Sequence, residues 1–356
     1  MVEDSLVIRT WITRALSGES DISLLPPATD GESAVERICA ESPDVVLMDI
    51  KLPKLDGIGA IEAVMDRAPV PIIVLSGHLR SAERDLSFDA LAAGAVEVLE
   101  KPKGLTAEVM TSFREKLVRT IRLMAKACVV RRRRRRGTTR RSSEHNIRAL
   151  LLSDDSGARA SPAAGVKPGL VAIGSSTGGP AALKVILEAL PAPFALPVVI
   201  SQHIIPGYES GLASWLSHTG HDVRVAEDGS ALEPGRIWLS PADRDLVVDG
   251  GACRLRQSEA SPEPNIDRLF VSVSEHWRSH AIALLLTGMG RDGAAGLDRV
   301  RRNGGLTFTQ TAVTCVVNGM PQAARDLGAG VYDLAPIEMA SALTTLARDR
   351  SGAGGS

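Results

Sequence analysis

A short apolar run at 170–173 ends in Gly174-Ser175-Ser176-Thr177-Gly178-Gly179-Pro180, and the residues that follow, Ala181-Ala182-Leu183-Lys184-Val185-Ile186-Leu187, read as a helix. A strand that passes through one tight turn into a helix commits the surrounding chain to an α/β sheet, because the helix must fold back over the strand it leaves. The turn also places small hydroxyl side chains at a helix N-terminus, where backbone N–H groups and the helix dipole favour negative charge. Ser176 is therefore a candidate nucleophile. A phosphate-cradling loop and a simple packing turn fit the segment equally well, and the segment alone does not choose between the three.

With 356 residues the chain exceeds one ordinary domain. The division is marked by Arg131 to Arg136, six consecutive arginines, followed by a Ser, Gly, Ala and Pro-rich stretch that reaches Lys167. Six like charges repel one another and bury nothing, so 123–166 is predicted to be a flexible linker between domains at 1–122 and 167–350, with a disordered tail at 351–356. No aromatic residues interleave with the arginines, and the whole chain carries a net charge of −1, so nucleic acid is not the expected partner. The arginine run instead suits long-range attraction toward acidic protein surfaces. No apolar run approaches the roughly 20 residues that a membrane span requires. The start, Met1-Val2-Glu3-Asp4-Ser5, has no basic stretch followed by an apolar one, so no secretory signal is expected. Cys39, Cys128, Cys253 and Cys315 are scattered without metal or redox spacing, which fits small packing residues in a reducing cytoplasm.

The first domain alternates apolar runs at 22–25, 44–49, 71–76 and 96–99 with helical patterns at 6–16, 32–40, 57–66, 82–92 and from 107 onward, the pattern of a parallel sheet with crossover helices. Glu3 and Asp4 precede the first helix, Asp49 and Ser76 end strands, and Lys101 follows the last strand. Strand ends of a doubly wound sheet converge on one crevice. Clustered carboxylates there repel unless a hard cation such as Mg²⁺ joins them. One carboxylate to accept a phosphoryl group, a metal to neutralise it and an ammonium to hold the product form a coherent phosphoryl-transfer site.

In the second domain, runs at 170–173, 196–201, 236–240 and 281–286 predict another parallel sheet, and Asp249-Gly250-Gly251 supplies the turn of a hairpin over 245–255. His203 follows the second of these runs, and Asp292 lies in the Gly-rich turn after the fourth. Three strand-end turns carrying Ser176, His203 and Asp292 match nucleophilic catalysis: a hydroxyl, a base to take its proton and an acid to fix the base's tautomer, with backbone N–H groups of the glycine turns at the oxyanion. His276 and His280, one helical turn apart, lack a third ligand for zinc.

Two families are resembled. Val2-Glu3-Asp4-Ser5, Asp49 to Gly57, Ser76-Gly77 and Lys101-Pro102 resemble the signature of two-component receiver domains. Ile173 to Gly179, Gln202 to Tyr208, Leu286 to Gly296 and Cys315 to Pro321 resemble the catalytic domain of the chemotaxis methylesterase (CheB) family. The resemblance implies an α/β chain with an N-terminal flavodoxin-like receiver and a C-terminal doubly wound, mostly parallel methylesterase domain. It implies Asp49 as phosphoacceptor, Glu3, Asp4, Asp49 and the Lys51 carbonyl around Mg²⁺, and Ser76 and Lys101 as the phosphorylation switch. It further implies Ser176, His203 and Asp292 as triad, with Thr177 and Met289 near the oxyanion and no cofactor for the esterase step. The implied reaction is demethylation of glutamate esters, with deamidation of some glutamines, on methyl-accepting chemoreceptors, under a chemotaxis histidine kinase. In the family the unphosphorylated receiver covers the active site.

This sequence departs from the family pattern in places. Many relatives carry His where Asp245 stands, and Arg291 occupies a position that is commonly Asn. The receiver's first strand is reduced to Met1 and Val2, which predicts exposed neighbouring strands, misplaced Glu3 and Asp4, and a true start several codons upstream. Pro26-Pro27 falls in the expected second strand, where an edge position tolerates proline. Other outputs are the same chemistry in a non-motility pathway or a non-enzymatic binding protein. A nucleotide site at Gly174 to Gly179 lacks the Lys-Ser/Thr ending of a P-loop.

Overall fold

The computed structural model describes residues 1–77, 81–102, 106–125, 168–258 and 265–351; of 81–85 and 349–351 it describes the backbone alone. The arginine run, nearly all of the expected linker and residues 352–356 lie outside this set. The chain divides into two compact units, Met1–Arg134 and Arg135–Ser356.

The first unit is α1 (Leu6–Leu16), α2 (Gly31–Glu41), β1 (Val46–Asp49), α3 (Gly57–Arg67), β2 (Ile72–Ser76), α4 (Ser81–Ala93), β3 (Glu97–Glu100) and α5 (Ala107–Met124). Polar residues start the helices: Asp30 caps α2 by accepting from Ser33 N at 3.0 Å, and Asp56 caps α3 through Gly59 N at 2.8 Å. The strands are parallel in the order β1-β2-β3, and β1 and β2 are buried throughout.

Two expectations are corrected here. Residues 22–25 form no strand; the pairing on that side falls at Ala28, which bridges Val2 in parallel. Pro26 and Pro27 have no N–H to give a ladder, so pairing resumes only after them. Glu3 and Asp4 are not misplaced either. Val2 takes the central position by itself, donating to Leu47 O at 2.8 Å and accepting from Asp49 N at 3.0 Å, which sets the acidic pair beside Asp49. Beside Val2 lies a cavity of about 330 Å³ lined by Leu16, Ile22, Ala28, Ile38 and Leu47 among others.

The second unit is β4 (Leu170–Ser175), α6 (Gly179–Ala189), β5 (Val198–Gln202), α7 (Glu209–Ser217), β6 (Asp222–Val225), β7 (Arg236–Leu239), β8 (Arg244–Asp249), β9 (Ala252–Gln257), α8 (Ile266–His276), β10 (Ala281–Leu285), α9 (Ala294–Arg302), β11 (Leu306–Gln310), α10 (Gly319–Asp326), β12 (Tyr332–Leu334) and α11 (Pro336–Ser351). Seven parallel strands run in the order β12-β11-β10-β4-β5-β7-β6, and β8 and β9 form the separate hairpin. β6, β11 and β12 carry no continuous apolar run: β6 lies at an edge, and β11 alternates Thr with Leu and Phe.

The order reverses at β4, whose neighbours β5 and β10 lead outward in opposite directions. The carboxyl ends of these strands form the crevice where doubly wound sheets hold ligands. Ile266, Leu269, Phe270 and Val273 repeat at helical spacing along α8, and all are fully buried in one core with Leu170, Ala172, Ala283 and Leu285. A Cβ on Gly174 would lie 2.3 Å from Ile266 Cγ2, so the start of α8 sits directly against the end of β4.

Candidate functional sites

In the first unit, ligand oxygens of Glu3, Asp4 and Asp49 lie within 4.8 Å of one another. Lys101 Nζ is 2.7 Å from Glu3 Oε2 and 3.0 Å from Asp49 Oδ2. Burial pushes the Glu3 carboxyl up and the Asp49 charge adds to this, while the Lys101 ammonium opposes it. For Lys101, burial acts against the charged form, but Glu3 and Asp49 outweigh it and hold the ammonium above its ordinary range. Three clustered carboxylates with no nitrogen or sulfur donor suit a hard cation of the Mg²⁺ type. Lys51 stands two residues beyond Asp49 in the turn that follows β1. Ser76 is buried at the end of β2, its carbonyl accepts from Lys101 N at 2.7 Å, and its Oγ is 3.2 Å from Ser87 Oγ of α4.

In the second unit, register places Gly174 opposite both Ser201 and Leu285. Ser176 therefore emerges between the turns after β5 and β10: its N–H donates to Thr287 O at 3.0 Å, and His203 N–H donates to Ser175 O at 3.0 Å. His203 Nε2 is 2.8 Å from Asp292 Oδ2. Asp292 also accepts from Ile266 N at 2.9 Å, Asp267 N at 3.0 Å and Gly293 N at 2.9 Å. Burial alone drives its carboxyl up, but the His203 hydrogen bond and the backbone N–H groups outweigh that and hold it below the ordinary aspartate range. An ionised Asp292 fixes the proton on Nε2, leaving Nδ1 as the imidazole's basic nitrogen.

Further hydrogen bonds tie the turns of the crevice to one another. Gln202 donates from Nε2 to the carbonyls of Ser176 and His203 at 2.9 and 2.8 Å, and its Oε1 accepts from Ser175 Oγ at 2.6 Å. Thr287 Oγ1 lies 3.0 Å from Thr177 O and accepts from Val317 N at 2.9 Å. Gly178 begins α6 at φ +79°, a left-handed conformation that favours glycine, and no side chain caps this helix. Its N-terminal dipole thus lies beside Ser176 and Thr177. Among the described residues, Met289 N–H has no protein acceptor.

Gln202, Thr287 and Asp267 are absent from the sequence-level set. A polar residue in the last, fully buried position of β5 was the available signal for Gln202. Asp245, at the departure from the family pattern, is buried and accepts from Asn265 N and Arg268 Nη1, each at 2.8 Å, so it anchors the hairpin to the start of α8. Arg291 is exposed. His276 is committed elsewhere, Nδ1 to Ser272 O at 3.0 Å and Nε2 toward Asp249 at 3.5 Å. Burial pushes the Cys253 and Cys315 thiols up to about 12, consistent with unreactive packing residues.

The two units define the class, a response-regulator receiver followed by a doubly wound α/β effector domain. The CheB methylesterase family model matches residues 171–343, and that of the response regulator receiver domain matches 1–110. The chain is 37% identical over 354 residues to the protein-glutamate methylesterase/protein-glutamine glutaminase of Nitrosospira multiformis, covering 98% of this chain and 97% of that protein. It is 37% identical over 331 residues to protein-glutamate methylesterase/protein-glutamine glutaminase 3 of Myxococcus xanthus, covering 92% and 88%. The solved CheB methylesterase catalytic domain of Thermotoga maritima is 34% identical, covers 51% of this chain and all of its own length, and superposes with a TM-score of 0.47. The chain therefore belongs to the CheB methylesterase family. Among the described residues no helix is long and apolar enough to cross a membrane.

Proposed function

We propose that this chain hydrolyses glutamate γ-methyl esters on methylated chemoreceptors, releasing methanol, deamidates selected glutamines there, and is switched by phosphorylation of Asp49 from a histidine kinase. Ser176 Oγ attacks the ester carbonyl while His203 Nδ1 takes its proton. Asp292 holds the imidazolium through Nε2. The tetrahedral oxyanion lies against the N–H groups of Thr177 and Met289 and the positive end of α6. Collapse expels methanol, which takes the proton from His203, and water attacks the acyl-serine by the same route to give glutamate.

In the receiver, Glu3, Asp4 and Asp49, with the carbonyl of Lys51, would hold Mg²⁺. Bound there, the ion neutralises charge on the incoming phosphoryl group. Lys101 and Ser76 then hold the phosphorylated side chain. The observation that supports the hydrolytic reading most is the 2.8 Å His203–Asp292 pair at the strand end next to Ser176. The test is methanol release from methylated receptor. Ser176→Ala is expected to fall by about 10³-fold or more; full activity in that variant overturns the reading.

A further inference from the structure

The starts of α8 and α9 are crossed. Asp292, two residues before α9, accepts the N–H groups of Ile266 and Asp267 at the start of α8. Asp267, in the first turn of α8, reaches back and its Oδ1 accepts Gly296 N–H in the first turn of α9 at 2.6 Å. Each helix thus has part of its unmatched N-terminal donors met by an acid belonging to the other, while Asn265 Oδ1 accepts Arg268 N–H at 2.9 Å as the cap of α8 itself. The contact is close along the backbone too, since a Cβ on Gly296 would lie 2.7 Å from Asp267 O. Only Gly293, Ala294 and Ala295 separate Asp292 from the clamped Gly296, and Met289 and Gly290 stand just before Asp292 in the same turn.

We propose that Asp267 is a positioning residue for the hydrolytic reaction, clamping the first turn of α9 so that Asp292 stays on His203 Nε2 and Met289 N–H stays at the oxyanion. This rests on the assignment of Ser176, His203 and Asp292 above. An ordinary helix cap needs only an acceptor for its own helix. Asp267 serves the other helix, while its own backbone N–H binds the Asp292 carboxylate. Burial, with the Asp292 charge adding to it, pushes the Asp267 carboxyl up, so the fold retains an acid where a charge is costly. An acceptor at that point is what the geometry requires.

Three variants of the full chain test this. Asp267→Asn keeps an oxygen acceptor for Gly296 N–H, Asp267→Ala removes it, and Asp267→Glu keeps the charge but displaces it. kcat for methanol release is referred to the number of serines titrated by a fluorophosphonate, which removes any effect of unfolded protein. Asp267→Ala and Asp267→Glu are expected to lose about 10- to 100-fold in kcat per titrated serine, with KM within about twofold. Asp267→Asn is expected to retain at least about half of the wild-type value. If Asp267→Ala does not fold, the Glu and Asn variants carry the comparison. Wild-type kcat per titrated serine in the Ala and Glu variants overturns the proposal, as does an Asn variant as slow as Glu. Ser176→Ala in parallel separates this outcome from failure of the triad, because full activity there removes the reaction itself.

Discussion

Gln202 Nε2 donates to the carbonyl of Ser176 at 2.9 Å from a side chain that is 2% exposed. The same amide holds the carbonyl of His203 and the hydroxyl of Ser175, so one residue ties the Ser176 turn to the His203 turn. Gln202→Ala strands several buried polar groups at once. It is expected to cost the second unit about 2–4 kcal/mol. Urea unfolding followed by tryptophan fluorescence in a Trp11→Phe background measures this, since the other three tryptophans, Trp215, Trp238 and Trp277, lie in that unit. A cost below about 0.5 kcal/mol contradicts the tie.

Gly288→Ala tests how tightly the turns close. A Cβ there would lie 2.7 Å from Ser176 Cβ and 2.2 Å from Met320 Sδ. The methionine can swing aside, whereas Ser176 is held through its backbone. Ser176 is therefore expected to shift, and kcat to fall about 100-fold in a protein that still folds. Wild-type kcat in this variant shows that Ser176 has room to spare.

The acid limb of stability carries the sign of Asp292. Its carboxyl is held below the ordinary range in the folded chain, so its contribution is present above the unfolded value near ~3.9 and is lost as pH falls through the folded value. Asp267, raised by burial, acts in the opposite sense: its contribution is full below ~3.9 and is lost as pH rises through its folded value. The stability gap between wild type and Asp292→Asn is thus expected to narrow below about pH 4. Urea midpoints between neutral and acid pH measure it, and a gap independent of pH contradicts it.

Lys101→Met removes the cation shared by Glu3 and Asp49 and leaves a buried carboxylate without its partner. The first unit is expected to lose about 3 kcal/mol in EDTA. Mg²⁺ at 100 times its Kd is expected to return about 2.7 kcal/mol. Thermal melts with and without Mg²⁺ give the result, and Asp49→Asn is expected to abolish most of the response to the ion.

Phosphorylation of Asp49 is expected to raise methanol release several-fold when a small phosphodonor and Mg²⁺ are supplied, with Asp49→Asn unresponsive. Equal rates with and without the donor contradict control by the receiver.

The candidate triad could be picked out because Ser176 and His203 follow the ends of apolar runs and Asp292 lies in the glycine turn after a third, and strand ends in a parallel sheet converge. The crossed caps were not. Asp267 reads as an ordinary first-turn acid, and only the packing of α8 on β4 brings it to Gly296. Likewise the run at 22–25 has strand-like composition, but two prolines displace its pairing to Ala28. Val2 keeps the acidic pair in place through two backbone hydrogen bonds, a role that one apolar residue does not announce. Asp245 reads as a departure from a pattern, and its place as a buried anchor appears only when the hairpin meets α8.

His203 and Asp292 are 89 residues apart along the chain, and Ser175 and Gln202 are 27 apart. Few local contacts foreshadow the site, so it comes into existence only when β4, β5 and β10 have joined across those distances. Such non-local pairing is slow to form. A nascent chain halted before Asp292 has made Ser176 and His203 but not the pair that joins His203 to Asp292, and during refolding the return of methanol release is expected to be the last signal to recover, after helix content and compactness.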